Sequence, residues 1–481
     1  MKLTFIIPPQ FDGRQPAERT AGCTRVTYLA PNIYELTVAA ELERLNGVEV
    51  AYRDFVYKKT TKAEFDSFLK EDIADAYIMW TVNLSVENDL TAIESIRKQR
   101  GSKIPVILLG PGAAYYYKKC LTDEQIYIVR GEPEETAKEL VKALRDHRNV
   151  TDEVKGLYLK RDGAIKATPT RPLMKDLDSL SFPALHFIKD KEYHNPKLKK
   201  GPYMTMVTSR NCPYHCIYCV PSSLTFAREI ESKTHTGHKP PISYKSIATI
   251  EKEVGRLASM GYKAVGFMDD NFIWNFERTQ EICRIMKHHD MVWGCQARVD
   301  AITEPIARIL GASGCKYVDL GVESFDDRIL KYIKKGICSE DIFRAISLLK
   351  KYDVPVKLNV LIGSSPLETK ETVRETFRMV KQLDVDQVMF NIVSPFPGTE
   401  YYKEALANGW IENGEYVPTD VQRNSILNLP NLSAREMERL LYKNNLSYFL
   451  SPRFVIKQIK RFSSIGELSY AAKALKLKLF G

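Results

Sequence analysis

The sequence contains no uninterrupted apolar run that approaches the roughly 18 residues needed to span a membrane. Its start, Met1 to Thr4, reaches Pro8-Pro9 too soon to be a secretory signal. It also has no internal repeat and no low-complexity tract. With 44% apolar and 27% charged residues, wholesale disorder is excluded as well. We therefore expect a soluble, cytoplasmic protein, and its 481 residues predict at least two domains.

Cysteine is scarce, and its count of nine is odd. In a chain of cytoplasmic character, this argues against a disulfide framework and favours metal or redox chemistry. The net charge of +10 is modest for the length, and no aromatic-rich stacking platform accompanies it. We therefore expect no nucleic-acid partner.

Residues 1–150 alternate short apolar runs with stretches of helical periodicity. Alternating strands and helices are typical of an α/β fold, in which a parallel sheet is covered on both faces. We expect a doubly wound, flavodoxin- or Rossmann-like domain that binds ligands at the carboxyl ends of its strands. The predicted strands are 3–7, 48–52, 76–80, 106–109 and 126–129.

Residues 151–202 are interpreted as a hairpin around Asp162-Gly163, followed by a linker lying over the surface. Alternation resumes in residues 203–410, where six strand-helix units predict a partial (β/α)6 barrel. Ser243 is expected to cap a helix that runs to residue 260. The predicted strands of this domain are 204–208, 264–268, 292–295, 317–320, 356–361 and 388–393.

Cys212, Cys216 and Cys219 follow the first strand of the second domain within one short loop. A structural zinc site needs four ligands, and no second pair of cysteines lies nearby. Three thiolates can hold an iron–sulfur cluster and leave one iron open, which is a catalytic arrangement. The spacing favours the cluster, with structural zinc as the alternative and His215 as a candidate fourth ligand.

This spacing, with Tyr218 before the last cysteine, resembles the signature of the radical S-adenosylmethionine (SAM) enzymes. Further segments resemble the family's SAM-binding motifs, each in order after a predicted strand. The segment at 269–271 departs from the usual Gly-Gly-Glu motif, although acidic and amide groups remain. The resemblance implies a [4Fe–4S] cluster on the three cysteines and SAM contacts from Tyr218, Asp269, Asp270, Asn271, Arg298, Glu323 and Ser324.

In this family, the cluster passes one electron to SAM, and the resulting 5′-deoxyadenosyl radical abstracts hydrogen from an unactivated C–H bond. The resemblance therefore implies an external electron donor such as flavodoxin or ferredoxin. The cofactors supply the radical chemistry, whereas the protein supplies orientation and excludes water.

The first domain resembles the cobalamin-binding domain of B12-dependent radical SAM enzymes. No histidine precedes His147, so a lower axial histidine from this domain is excluded. Any flavodoxin-like domain also needs glycine turns at these positions, so that alternative stays open. The resemblance implies cobalamin contacts from Thr81, Asn83, Gly110, Pro111, Gly112, Gly131 and Glu132.

Residues 411–481 are predicted to form a helical, basic segment. From residue 451 onward there are seven basic residues and one acidic residue, Glu467. Basic and apolar residues at helical spacing are typical of a segment that contacts a membrane surface, but they also occur in a helix that only covers the barrel.

The sequence therefore predicts a cobalamin-dependent radical SAM enzyme that methylates an unactivated carbon of a small or lipid-like substrate. Two alternatives remain: a cyclase or ring-rearranging enzyme without net methyl transfer, and a non-catalytic cobalamin- or metal-binding sensor. The likeness is greatest to the branch of anaerobic porphyrin cyclases and hopanoid-modifying enzymes. A tRNA methylthiotransferase would need a second cysteine triad, and the first domain contains only Cys23 and Cys120.

Overall fold

The computed structural model describes residues 1–21, 24–26, 28–220, 222–452 and 454–456. The first sheet within these residues has seven strands in the order β2-β1-β3-β4-β5-β6-β7, of which β1 to β5 are parallel. These strands are β1 (Lys2–Ile7), β2 (Glu49–Asp54), β3 (Ala76–Trp80), β4 (Val106–Leu109), β5 (Ile126–Val129), β6 (Leu157–Arg161) and β7 (Ala164–Ala167).

Helices connect and cover these strands: α1 (Ile33–Glu43), α2 (Lys62–Glu71), α3 (Val86–Arg100), α4 (Pro111–Tyr115), α5 (Tyr117–Cys120), α6 (Pro133–Arg145) and α7 (Val150–Glu153). Side chains of β3 alternate between two cores, since Ile78 and Trp80 join one core and Tyr77 and Met79 join the other. Helices α1 and α6 pack on the first face, and α2 and α3 pack on the second. All five predicted strands are present, and three of them have the predicted bounds.

The predicted hairpin, β6 and β7, extends the first sheet, because β6 pairs antiparallel with β5. Most residues of the segment after it are exposed or half-buried, and a few buried side chains attach it to the core. Leu185, Ile188 and Leu198 are buried, and the amide of Ala184 donates to the carbonyl of Leu36 in α1 at 3.0 Å. Its few apolar residues contact the core at irregular spacing, which explains why no periodicity is visible.

The second sheet contains six strands within the described residues, all parallel, in the order β15-β14-β13-β12-β11-β8. A short antiparallel pair, β9 (Ser209–Arg210) and β10 (Ser243–Tyr244), lies beside it. The six strands are β8 (Tyr203–Met206), β11 (Ala264–Phe267), β12 (Val292–Arg298), β13 (Cys315–Glu323), β14 (Val356–Ile362) and β15 (Gln387–Ile392).

The helices of this part are α8 (Ser223–Thr236), α9 (Ile247–Ser259), α10 (Phe276–His288), α11 (Glu304–Ala312), α12 (Asp327–Tyr332), α13 (Ser339–Lys351), α14 (Lys370–Gln382), α15 (Glu400–Ala407) and α16 (Ala434–Phe449). The prediction that Ser243 caps α9 is wrong, because Ser243 belongs to β10. The cap is Ser246, whose side chain accepts from the amide of Thr249.

After α16, residue 453 and the residues from 457 onward lie outside the described residues. The predicted membrane-contacting segment falls mostly on them. Among the described helices, none combines the length and apolar character required to cross a membrane.

Candidate active site

The three cysteines lie in the loop between β9 and α8, beyond the carboxyl end of β8. All three are partly exposed and free of disulfides. Burial, and next the thiol of Cys216, raises the pKa of Cys219. Burial also raises the pKa of Cys212, and Cys216 adds to the effect. The thiols are thus near enough that charge on one opposes charge on another, and a bound metal would remove this penalty because it stabilises thiolates.

Within the described residues, no three His, Cys, Asp or Glu side chains are close enough to bind one metal ion together. In an iron–sulfur cluster each thiolate binds a different iron, so its three cysteines need not meet at one point. The cluster on these cysteines therefore stays a prediction, with zinc as the alternative.

Arg298, at the end of β12, is buried beside the cysteine loop. Its guanidinium lies over the ring of Tyr214 at 3.6 Å and forms two hydrogen bonds with Asp300, of 2.9 and 2.8 Å. Its Nη1 lies 3.9 Å from the sulfur of Cys216. Arg298 therefore places a fixed positive charge next to a cysteine thiol.

Glu323, at the end of β13, has the left-handed φ of 67°, at a register shift between β13 and β14. Its carboxylate accepts from Lys335 Nζ at 2.7 Å, and both side chains are buried. Although burial opposes the charge of Lys335, Glu323 and then Cys216 raise its pKa. A Cβ on Gly321 would lie 2.8 Å from both charged groups, so a larger residue there would make the two side chains shift. Burial, and next the Glu323 carboxylate, raises the pKa of Tyr218 well above its usual range.

The predicted SAM contacts at 269–271 follow β11, where Asp269 and Asn271 are buried and Asp270 is half-buried. Their side chains have different partners. Asp269 accepts from Thr208 N and Oγ1 at 2.7 and 2.5 Å and from Ser209 Oγ at 2.7 Å. Asp270 accepts from the amide of Asn211 at 2.8 Å, and burial raises its pKa to about 6. Asn271 has no partner for either amide atom within the described residues. Asp269 therefore fixes Thr208 and Ser209, which precede the cysteine loop. The side chain of Asn271 remains available to a ligand.

Ser324 is buried, and its hydroxyl accepts from the amide of Asp326 at 3.1 Å. It forms the turn that leads into α12. The turn that follows β15 lies close to the cysteine loop. Pro397, Gly398 and Thr399 line the same cavity as Cys216 and Cys219.

At the carboxyl edge of the first sheet, the glycines of the predicted cobalamin loop pack against the chain itself. A Cβ on Gly110 would lie 2.7 Å from the carbonyl oxygen of Thr81. One on Gly112 would lie 2.4 Å from the carbonyl carbon of Val82. Pro111 between them is buried and begins α4. Gly110 and Gly112 therefore allow the loop after β4 to pack against the loop after β3. The sequence had instead predicted that these glycines contact cobalamin.

Thr81 and Asn83 follow β3 and are both buried. Neither the Thr81 hydroxyl nor either amide atom of Asn83 has a hydrogen-bond partner within the described residues. Buried polar groups are nearly always satisfied, so these three atoms indicate a place where a ligand could supply the partners.

Gly131 and Glu132 follow β5, with Gly131 in a left-handed conformation of φ 65°. Both carboxylate oxygens of Glu132 have partners within the protein. Its Oε1 accepts from Arg210 at 2.7 Å, and its Oε2 accepts from the amide of Met174 at 2.5 Å. Glu134 accepts from the same guanidinium at 2.6 Å. These carboxylates join the first sheet to the residues directly before Cys212.

A cavity of about 720 Å³ opens beside the cysteine loop, and nearly all of its lining residues follow β9 in the chain. Cys216 and Cys219 line it from the second part, and Tyr115 of α4 lines it from the first. Its wall is rich in charged and imidazole groups, namely His215, Glu229, Lys233, His238, Lys239, Glu400 and Lys403.

Sequence reasoning missed three buried cations of this region: Arg210, Arg228 and Lys335. Each pairs with a carboxylate distant in the chain, so no local pattern marks it. Arg210 had one available signal, since it stands two residues before the first cysteine.

Residues 206–396 match the Radical SAM superfamily. The match covers about two fifths of the chain and identifies this part as a radical SAM domain. The predicted fold of this part is thereby confirmed, whereas the roles of its cysteines stay a prediction.

Relatives extend the likeness to the whole chain. An uncharacterized methyltransferase of Pyrococcus horikoshii is 28% identical over 466 residues, covering 95% of each chain. The cytidylyl-2-hydroxyethylphosphonate methyltransferase of Streptomyces wedmorensis is 24% identical, covering 85% of this chain and 84% of its own. The anaerobic magnesium-protoporphyrin IX monomethyl ester cyclase of Rubrivivax gelatinosus is 26% identical over 70% of this chain and 59% of its own.

Two solved structures share the fold. The radical SAM methyltransferase TsrM from Kitasatospora setae, with cobalamin and a [4Fe–4S] cluster bound, has a TM-score of 0.63 and 18% identity, covering 85% of this chain and 75% of its own. The cobalamin-dependent SAM radical enzyme OxsB, with aqua-cobalamin and SAM bound, has a TM-score of 0.71 and 13% identity, covering 100% of this chain and 71% of its own.

Proposed function

We propose that this protein is a cobalamin-dependent radical SAM methyltransferase that modifies a carbon of a small polar molecule. One observation carries the proposal: the cavity of about 720 Å³ is lined both by cysteines of the cluster loop and by Tyr115 of the first part. Reacting groups held by the two parts would therefore face one space, as transfer between them requires.

The residues around the cysteines fit a [4Fe–4S] cluster and SAM. When bound, the cluster supplies one electron to SAM, which releases a 5′-deoxyadenosyl radical able to take hydrogen from a C–H bond. Arg298 supplies positive charge beside Cys216, and the Glu323–Lys335 pair holds the end of β13. The unpartnered amide of Asn271 and the carboxylate of Glu323 are the SAM contacts that we favour.

The first part fits cobalamin through the unpartnered atoms of Thr81 and Asn83, which lie at the strand end where such folds bind ligands. When bound, cobalamin supplies a methyl group. Gly110, Gly112 and Glu132 would support that site indirectly, because their close contacts are to the protein itself. No histidine precedes His147, so the loops that follow β1, β3, β4 and β5 would hold the group without a histidine.

The cavity lining favours a polar substrate over a lipid-like one. Seven of its residues carry charged or imidazole groups, and an apolar molecule there would displace water from this polar wall without replacing its hydrogen bonds. Four of the seven, Glu229, Lys233, Lys239 and Glu400, also form ion pairs within the protein. The relative that acts on cytidylyl-2-hydroxyethylphosphonate, a polar molecule, points in the same direction. An electron donor such as flavodoxin or ferredoxin is part of the proposal.

A cyclase without net methyl transfer is the second candidate, supported by the likeness to the porphyrin cyclase. The methyltransferase is favoured because the likeness to the Pyrococcus protein covers 95% of both chains, whereas that to the cyclase covers 59% of the cyclase.

The experiment that tests the proposal is anaerobic reconstitution with iron, sulfide and hydroxocobalamin, followed by metal analysis and incubation with SAM and a reductant. We expect about four irons and one cobalt per chain, together with 5′-deoxyadenosine. Four irons without cobalt would refute the cobalamin assignment, and the absence of 5′-deoxyadenosine would refute the radical assignment. Methyl-deuterated SAM distinguishes the two candidate reactions once a substrate is identified. A methyltransferase places the deuterated methyl group in the product, whereas a cyclase without net methyl transfer does not.

A further inference from the structure

A buried network of ion pairs connects the turn after β5 to the residue that precedes the first cysteine. Arg210 is bound by Glu132 and Glu134 through separate guanidinium nitrogens, at 2.7 and 2.6 Å. Nε of Arg228, in α8, lies 3.0 Å from Glu132. All four side chains are at most 7% exposed. The charges therefore balance one another without the help of water, and each depends on the others.

The network ends on Asn211. Its side-chain oxygen accepts from Arg228, and its backbone amide donates to Asp270 at 2.8 Å. Asn211 has a φ of 72°, a conformation that asparagine tolerates better than most residues. Because this residue sets the direction in which the chain enters Cys212, contacts that hold Asn211 also orient the cysteine.

We infer that Glu132 and Glu134 are positioning residues for the cluster loop: through Arg210, Arg228 and Asn211, they fix the orientation of Cys212 from the opposite part of the molecule. This inference rests on the proposed function, because it assumes a cluster on the three cysteines. It gives the turn after β5 a role in the radical chemistry rather than in direct cofactor binding.

If Glu132 and Glu134 orient the cysteine loop, their loss changes the cluster; if they only stabilise the fold, their loss changes only the free energy of unfolding. Losing either carboxylate leaves a buried arginine partly unpaired, so some loss of stability is expected in both cases. Only the positioning role predicts a change at the cluster in protein that has folded. Partners that orient metal ligands typically contribute 10- to 100-fold in metal affinity or activity.

The test compares Glu134→Gln with the control Glu135→Gln, one residue further along α6. Glu135 pairs with Lys138 and is 45% exposed at its side chain, away from the network. A second variant, Asn211→Gly, keeps the backbone conformation and removes the contact to Arg228 without leaving a buried charge unpaired. Circular dichroism establishes that each protein is folded.

Three readouts are compared: the electron paramagnetic resonance spectrum of the reduced cluster with SAM, the rate of 5′-deoxyadenosine formation, and the alkylation rate of Cys212 by iodoacetamide in cluster-free protein. For folded Glu134→Gln and Asn211→Gly we expect an altered spectrum, cleavage slower by about 10- to 100-fold and faster alkylation. Glu135→Gln should match the wild type in all three.

Folded variants with the wild-type spectrum, cleavage rate and alkylation rate would overturn the inference while leaving the proposed function intact. A wild-type protein that binds no cluster would overturn both. If Glu134→Gln does not fold, Asn211→Gly decides the question alone.

Discussion

The carboxyl edges of the two sheets carry residues of similar kind and use them differently. At the first edge, Gly110 and Gly112 admit a neighbouring loop, and Glu132 binds Arg210. At the second edge, Cys216 and Cys219 line a cavity. The first edge is thus largely occupied by contacts within the protein, whereas the second presents its reactive groups to solvent. A motif at a strand end can therefore serve packing or chemistry, and only its neighbours decide which.

The largest effect is expected at the second edge. Cys219→Ala should reduce 5′-deoxyadenosine formation to background and lower the iron content, because a cluster loses one of its protein ligands. The matched control is Cys338→Ala, at the start of α13, where the thiol contacts only Glu340 and Asp341 among described residues. Wild-type cleavage by Cys219→Ala would contradict the assignment of the cysteine loop.

Buried charge at the first edge should appear in the pH dependence of stability. Burial raises the pKa of Glu35 from 4.5 to about 7. Between pH 4.5 and pH 7 the native state holds a proton on Glu35 that the unfolded chain has lost. The contribution of Glu35 to the free energy of unfolding is therefore fully present below pH 4.5 and is lost as the pH rises through 7. At about 1.4 kcal/mol per unit of pKa difference, the loss in the free energy of unfolding is roughly 3 kcal/mol.

Glu35→Gln should remove that decline, as measured by urea unfolding from pH 4 to pH 8. Glu94→Gln, at an exposed position of α3, should retain the wild-type pH dependence. A decline of equal size in wild type and Glu35→Gln would show that Glu35 does not titrate in this range.

The role of the first-edge glycines can be tested without any cofactor. Gly112→Ala should lower the free energy of unfolding of cofactor-free protein by about 1–3 kcal/mol, because the added Cβ meets the backbone of Val82 and Asn83, which cannot rotate away. Gly201→Ala, where a Cβ meets nothing within 4 Å, serves as the control. Unchanged stability with weaker cobalamin binding would instead favour a direct role toward the cofactor.

The smallest effect concerns the unpartnered amide of Asn83. Asn83→Ala should leave cofactor-free stability unchanged or slightly higher, because an unsatisfied buried group is removed, and should weaken cobalamin binding by about tenfold. Asn88 is the comparison: it is buried but bonded to Phe11 N at 2.9 Å and Pro9 O at 3.0 Å, so Asn88→Ala should destabilise the protein. Unaltered cobalamin affinity in Asn83→Ala would remove this residue from the proposed site.

The strands and the cysteine loop were predictable because their signals are local. Strand β3 is a continuous apolar run, and Cys212, Cys216 and Cys219 stand within eight residues of one another. The buried positions of the linker after β7, such as Leu185 and Leu198, could not be predicted because they follow no period. The cap at Ser243 was misplaced because pairing with β9 takes that residue into a strand, which a local capping pattern does not reveal.

The sequence did not predict the partners of the buried charged residues, for a different reason. Glu132 and Arg210 are 78 residues apart, and Lys335 and Glu323 are joined across a turn whose left-handed backbone no motif announced. Pairing of this kind depends on which surfaces meet after the sheets have formed.

The sequence by itself determined the two αβ patterns, the three-cysteine loop and the order of the motifs that follow it, because each depends on residues adjacent in the chain. The tertiary structure alone decided that Glu132 and Glu134 bind Arg210 and that Tyr115 shares a cavity with Cys216. It also decided that the side chains of Asn83 and Asn271 have no partner among the residues it describes. The physical reason is that hydrogen bonds, ion pairs and close packing act over a few ångströms of space, whatever the distance along the chain.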